Sequence, residues 1–194
     1  ASRLQHNLGL LMSGMVAGAF QSSAHRELLP DLWSSLFMVV PAVSTTFASV
    51  RTMFGDLPPE SIGWLLVDEA GQAVPQAAVG AIMRAKRSIV VGDPLQIPPV
   101  VSLPEKLNAE ICKFFDIDQV EWSAPAASTQ TLADQASRFK STFVMDVGDR
   151  EVGLPLLVHR RCQNPMFDVS NFIAYAGQMV HAVGPKRPGS IGSA

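Results

Sequence analysis

Two adjacent carboxylates, Asp68 and Glu69, follow directly on the apolar run 62–67. Such a run predicts a buried strand, and open α/β sheets place their ligands beyond the carboxyl ends of their strands. In phosphoryl transfer an aspartate at this point holds Mg²⁺, while a second group orients and deprotonates the attacking water. Asp68 is therefore a candidate metal ligand and Glu69 a candidate general base. The alternative is that the pair caps the next helix, whose N-terminus favours negative charge.

A second strand end has similar chemistry. The apolar run 88–91 is followed by Gly92, Asp93 and a proline-rich loop that contains Gln96. Gly92 permits a tight turn, and the prolines leave the loop little conformational freedom to lose. A fixed amide at Gln96 can sense a γ-phosphate and relay its presence to a neighbouring domain. The alternative is an ordinary turn, because Gly-Asp-Pro is common turn chemistry.

The elements around these strand ends indicate an α/β fold. Apolar runs at 36–43, 62–67 and 88–91 predict parallel strands covered on both faces, because helical segments separate them. Residues 72–85 are predicted to form the crossover helix of a βαβ unit, with Pro75 in its first turn. The other predicted elements are helices at 4–29, 104–115 and 129–139, a loop at 121–127, a strand at 154–158 and a flexible tail at 184–194.

Composition excludes several classes of protein. With 194 residues, 47% apolar and 16% charged, the chain is globular and not disordered. A net charge of −2 gives no overall basic surface for nucleic acid. Cys112 and Cys162 lack the spacing of a zinc or disulfide framework, which favours a reducing, cytoplasmic location. The apolar stretch 8–20 is too short to span a membrane, and only Arg3 precedes it, which disfavours a signal peptide.

The two strand ends resemble motifs II and III of the Upf1-like branch of superfamily 1 helicases. That branch has DEA-x-Q, then a strand, then GD-x-x-Q-L-P-P, and here these motifs are similar to residues 68–72 and 92–99. Residues 158–162 resemble the arginine-bearing motif IV, and the similarity extends over about 36–180. The resemblance implies an incomplete RecA-like (P-loop NTPase) parallel sheet flanked by helices, with the start of a second RecA-like domain.

The resemblance also implies a domain order and roles for the residues of an ATP site. The order is a helical segment at 1–35, the C-terminal part of the first RecA-like domain at 36–127, a connecting helix and the start of the second domain at 128–183, and the tail at 184–194. Asp68 is expected to bind Mg²⁺, Glu69 to activate water and Gln96 to sense the γ-phosphate. Gln72 and Asp93 are expected to join the same cofactor-binding network.

Arginines and hydroxyls complete the implied site. Arg161 is expected to reach the γ-phosphate from the second RecA-like domain and to stabilise transition-state charge. Family members usually have one arginine after Gln-Tyr, whereas two follow a histidine here, so Arg160 stays a candidate. A surface or structural ion pair is the alternative for either arginine. Ser44, Thr45 and Thr46 resemble the loop that approaches the nucleic-acid backbone, and could donate to phosphates or satisfy one another.

The sequence has no phosphate-binding loop, G-x-x-x-x-G-K-[ST], before Asp68. We therefore expect an internal fragment of an ATP-dependent helicase or translocase. The parent protein would use ATP and Mg²⁺ and would bind DNA or RNA. The fragment would need the missing parts of the same polypeptide as its partner. Alone it would bind no cofactor tightly, and we expect no membrane partner. The alternatives are a non-catalytic nucleic-acid or protein binding module with a degenerate helicase core, and an NTPase switch that never unwinds.

Overall fold

The computed structural model describes residues 2–17, 26–93, 95–144 and 148–184. The chain divides into two compact units, Ala1–Gln130 and Thr131–Ala194. The helices up to the end of the first unit are α1 (Ser2–Ala17), α2 (Leu29–Phe37), α3 (Phe47–Phe54), α4 (Pro75–Arg84), α5 (Glu105–Phe114) and α6 (Gln119–Trp122), and α7 (Thr129–Ala136) follows.

Strands β1 (Leu65–Val67) and β2 (Ser88–Val90) pair in parallel, and α4 connects them. The predicted βαβ unit is therefore confirmed. Pro75 occupies the first turn of α4, where its fixed φ suits the helix and its missing amide hydrogen is not needed. The small side chains of Ala78 and Ala81 form the buried face of this helix.

A hydrophobic core supports α4 from the N-terminal helices. Its buried members are Leu11, Leu29, Leu32, Trp33, Val50, Phe54, Leu57 and Ala81. The Trp33 ring lies 4.9 Å from the ring of Phe54, so α2 packs on α3. Asn7 donates to the hydroxyl of Ser35 at 2.9 Å and joins α1 to α2. Because Ala81 belongs to α4, the same core holds the connection between β1 and β2.

The prediction of a strand at 36–43 is wrong. Its first two residues end α2, and the amides of Val39 and Val40 turn back to the carbonyl of Leu36 at 2.9 and 2.8 Å. Leu29, Leu32, Trp33, Leu36 and Phe37 recur at helical spacing, and this period overrides the apolar run. Met38 beyond it is 80% exposed.

Several other element boundaries differ from the predictions. Two predicted segments lie partly outside the described residues: 18–25 of the first helix and 185–194 of the tail. Helix α7 ends before residue 139, the predicted end of that helix. Helix α6 includes part of the segment 121–127, which was predicted to be a loop. Of the strand predicted at 154–158, only Val158 is in a strand. Leu154 and Leu156 are 83% and 72% exposed, so burial does not favour a strand there.

The second unit contains β3 (Ser141–Phe143), β4 (Arg150–Val152), β5 (Val158–His159), α8 (Met166–Tyr175) and β6 (Val180–His181). β3 and β4 are antiparallel, whereas β5 and β6 are parallel and joined by α8. Asn171 accepts from the amide of Met179 at 2.9 Å and donates to its carbonyl at 3.1 Å, which fixes the turn into β6.

Every sheet in the described part of the chain has two strands, so these residues do not include a complete RecA-like sheet. Cys112 and Cys162 are both free thiols. No helix within the described ranges combines the length and the apolar character needed to cross a membrane.

Candidate active site

The backbone bends sharply where β1 ends. Glu69 has φ 54° and ψ 37° and leads into a 3₁₀ turn at Ala70–Gln72. This left-handed conformation costs a non-glycine residue about 1–2 kcal/mol. The Glu69 amide donates to Oδ1 of Asp68 at 3.0 Å, and Nε2 of Gln72 donates to Oε2 of Glu69 at 3.3 Å. Both carboxylates are exposed, so the bend presents them to solvent beyond the strand.

The loop after β2 is held by Asp93. Its Oδ1 accepts from the amide of Leu95 at 2.9 Å, and its Oδ2 accepts from Nε2 of Gln96 at 3.0 Å. An aspartate that bonds the backbone two residues later is a common way to fix a turn. Gln96 is thus held by a carboxylate three residues before it, the same spacing that links Gln72 to Glu69.

Two glycines bring these strand ends into backbone contact. A Cβ added to Gly71 would lie 2.8 Å from the carbonyl oxygen of Asp93, and one added to Gly92 would lie 2.6 Å from the nitrogen of Gly71. The amide of Ala70 also donates to the carbonyl of Val91 at 2.9 Å. No side chain fits between the loops, so the carboxylate pair and the Gln96 loop share one edge of the sheet.

A buried polar segment at 128–130 supports both loops, and sequence reasoning assigned it only to a helix. The amide and hydroxyl of Thr129 both donate to the carbonyl of Ala73, at 2.9 and 3.2 Å. Oε1 of Gln130 lies 3.0 Å from where a Cβ on Gly92 would stand. The sequence shows three consecutive polar residues here, but their burial appears only in the structure, and the Ala73 partner of Thr129 lies 56 residues earlier, where local patterns cannot reveal it.

The predicted nucleic-acid residues lie apart from the strand ends in the sequence, in an exposed irregular segment before α3. Thr46 has extended backbone angles at the start of α3, and its hydroxyl donates to that of Ser49 at 3.3 Å. The Thr45 hydroxyl lies 3.5 Å from the carbonyl of Thr46, and Ser44 is exposed. These hydroxyls therefore make only local contacts.

Arg160 and Arg161 follow β5 in the second unit. Both side chains are exposed to solvent. Next to them, the amide of Cys162 donates to Nε2 of His159 at 2.8 Å, and its carbonyl oxygen lies 3.2 Å from Nε2 of His181. The two guanidinium groups are therefore accessible on an ordered part of that unit.

Asp68 fits a magnesium ligand by its donor chemistry. The described residues include no group of three His, Cys, Asp or Glu side chains that could hold a metal ion. Mg²⁺ commonly takes one or two carboxylates and completes its shell with phosphate oxygens and waters. Within the described residues Oδ2 of Asp68 accepts no hydrogen bond, while Oδ1 accepts from Glu69. One oxygen of the Asp68 carboxylate is thus available as a cation ligand.

The glycine contact predicts a difference between two substitutions. Gly92→Ala should lower the free energy of unfolding by about 1–3 kcal/mol, because its methyl group would overlap the Gly71 backbone. Gly63→Ala is the matched control, since a Cβ there meets nothing within 4 Å. Urea denaturation of both variants measures the effect. Equal stability of the two variants would show that the loops are not in contact.

Part of the chain that includes both strand ends is similar to a known protein family. Residues 39–103 match a family model described as an AAA domain, and this match implies a P-loop NTPase fold. The matched segment contains β1, α4, β2 and both loops, and it ends before Arg160 and Arg161. No curated protein matched the chain. Residues 39–103 are therefore similar to an AAA domain of the Upf1-like superfamily 1 helicase family, in agreement with the resemblance of motifs II and III.

Proposed function

We propose that this chain contributes the magnesium-binding and water-activating residues of a nucleic-acid-dependent, helicase-type ATPase. The observation that carries the proposal is the left-handed Glu69 beside Asp68, at the carboxyl end of a parallel strand. Strained backbone of this kind persists where the surrounding structure imposes it, and it clusters at active sites. The helicase family of residues 39–103 supports nucleotide and Mg²⁺ as the ligands.

Each side chain then has a distinct task. Asp68 holds Mg²⁺, which when bound neutralises charge on the β- and γ-phosphates. Glu69 takes the proton of the attacking water: Gln72 occupies its Oε2 and leaves Oε1 free to accept. Gln96 uses one Nε2 hydrogen on Asp93, so its second hydrogen is available to donate to a γ-phosphate oxygen.

Two further parts of the proposed ATPase site lie outside residues 39–103. The 194 residues hold no G-x-x-x-x-G-K-[ST] loop, so the phosphate-binding amides and lysine would come from another segment of the same polypeptide. Arg161, or Arg160 in its place, supplies positive charge to the γ-phosphate from a second RecA-like domain. The planar guanidinium group suits this task because it donates to two phosphate oxygens at once.

Replacement of Glu69 by Gln tests the hydrolytic role. In the full-length protein that contains this chain, Glu69→Gln should retain ATP binding and lower ATP turnover roughly 10²- to 10⁴-fold, because the amide cannot accept the water proton. Glu110→Gln, an exposed position on α5, should leave turnover unchanged. Binding and turnover are measured with labelled ATP in the presence of an oligonucleotide.

Two outcomes would contradict this assignment in different ways. Wild-type turnover in Glu69→Gln would remove Glu69 as the general base. A wild-type protein that binds nucleic acid but shows no nucleic-acid-stimulated hydrolysis would make the chain part of a binding module instead of an enzyme.

The exposed hydroxyls before α3 are the proposed contact with nucleic acid. Ser44, Thr45 and Thr46 precede a helix N-terminus, whose partial positive charge favours a phosphate group. We expect their joint replacement by alanine to raise the oligonucleotide concentration for half-maximal ATPase stimulation roughly tenfold or more, at about 0.5–1.5 kcal/mol for each of the three hydrogen bonds. Thr52→Ala, exposed within α3, is the control. Equal stimulation curves would place the nucleic acid elsewhere.

A further inference from the structure

Two histidines hold the backbone of the turn that carries the arginines. The amide of Cys162 donates to Nε2 of His159 at 2.8 Å. Nε2 of His181 lies 3.2 Å from the carbonyl oxygen of Cys162. Because a carbonyl oxygen can only accept, the His181 nitrogen must donate. Both polar backbone groups of Cys162 are therefore bound by imidazole rings.

The strand pairing and a buried aromatic ring set the positions of these histidines. His159 of β5 and His181 of β6 are paired residues in a parallel ladder, so their side chains lie on the same face. The amide of Ala182 donates to the carbonyl of His159 at 2.9 Å and extends this ladder. Phe167 of α8 is 7% exposed, and its ring centroid lies 5.3 Å from that of His159 and 4.7 Å from that of His181. Both imidazole rings thus pack against Phe167.

The arginine turn is therefore fixed at both ends. His159 precedes Arg160 and belongs to β5, and Cys162 follows Arg161 and is bound by the two imidazoles. The arginine side chains between them are exposed. A turn that is ordered in advance loses less conformational freedom when its side chains contact a phosphate group.

We propose that His159 and His181 are positioning residues, which hold Arg160 and Arg161 in the geometry that the γ-phosphate contact requires. This inference rests on the proposed ATPase function, because it assumes that at least one of the two arginines contacts the nucleotide. Neither histidine is proposed to contact the nucleotide or a metal. They act through the backbone of Cys162.

The hydrogen-bond directions require particular tautomers. His159 accepts at Nε2, so its ring hydrogen is on Nδ1, whereas His181 carries a hydrogen on Nε2. Long-range ¹H–¹⁵N spectra of the 194-residue chain distinguish the two forms, and single His→Gln substitutions assign the signals. A hydrogen on Nε2 of His159 would overturn the proposal, since that ring could not accept from Cys162.

Replacement of His159 tests the consequence for catalysis. In the full-length protein, His159→Leu should lower kcat for ATP roughly 10- to 100-fold, because misplacing a charge-stabilising group has effects of this size. His159→Gln should recover most of the rate, since its side-chain oxygen can accept the Cys162 amide. Val158→Thr is the control: it is the preceding strand residue, points to the other face and is 54% exposed.

Arginine variants separate this proposal from the one on which it rests. If Arg160→Ala and Arg161→Ala both keep the wild-type rate, the proposed role of the arginines fails and the positioning role fails with it. If one of them loses activity, His159→Leu should add no further loss in that background, because the two changes remove one interaction. A wild-type rate in folded His159→Leu, or an additive loss in the double variant, would overturn the positioning role alone. If His159→Leu does not fold, the rate of His159→Gln and the tautomer of His159 decide.

Discussion

The contact between the backbones that leave β1 and β2 is the constraint on which the candidate site depends. Neighbouring parallel strands end at the same edge of a sheet, but side chains usually separate the backbones of the loops that follow them. Here Gly71 lies against the carbonyl of Asp93, and Gly92 lies against the amide of Gly71. Because closely packed groups cannot move independently, a displacement of the Gln96 loop must shift the turn that carries Glu69.

The candidate reactive side chains are exposed, whereas the residues that hold their backbone in place are buried or partly buried. Thr129 holds the segment that follows the 3₁₀ turn through two hydrogen bonds to Ala73. Arg84 donates to the carbonyls of Gly80 and Gly55 at 2.7 and 2.6 Å, which ties the end of α4 to the end of α3. A strained backbone conformation such as that of Glu69 persists where the surrounding structure imposes it.

Local patterns in the sequence predicted β1, α4 and β2, since apolar runs and a proline at a helix start depend only on nearby residues. The candidate site was predicted from residue types at two strand ends. Patterns failed at 36–43, where the helical period of α2 continues into an apolar run. They also missed Thr129 and His181, because the partners of these residues are distant in the sequence. The left-handed backbone of Glu69 has no signal in its residue type, because glutamate rarely adopts it.

The proposed role of Asp68 as a metal ligand is tested most directly by electron paramagnetic resonance of Mn²⁺, bound with nucleotide to the full-length protein. Asp68→Asn should weaken Mn²⁺ binding at least tenfold, which corresponds to about 1.4 kcal/mol, because the amide cannot supply a charged oxygen ligand. Asp149→Asn, exposed in the second unit, should bind Mn²⁺ as the wild type does. Unchanged Mn²⁺ affinity in Asp68→Asn would contradict a metal-dependent ATPase site at the end of β1.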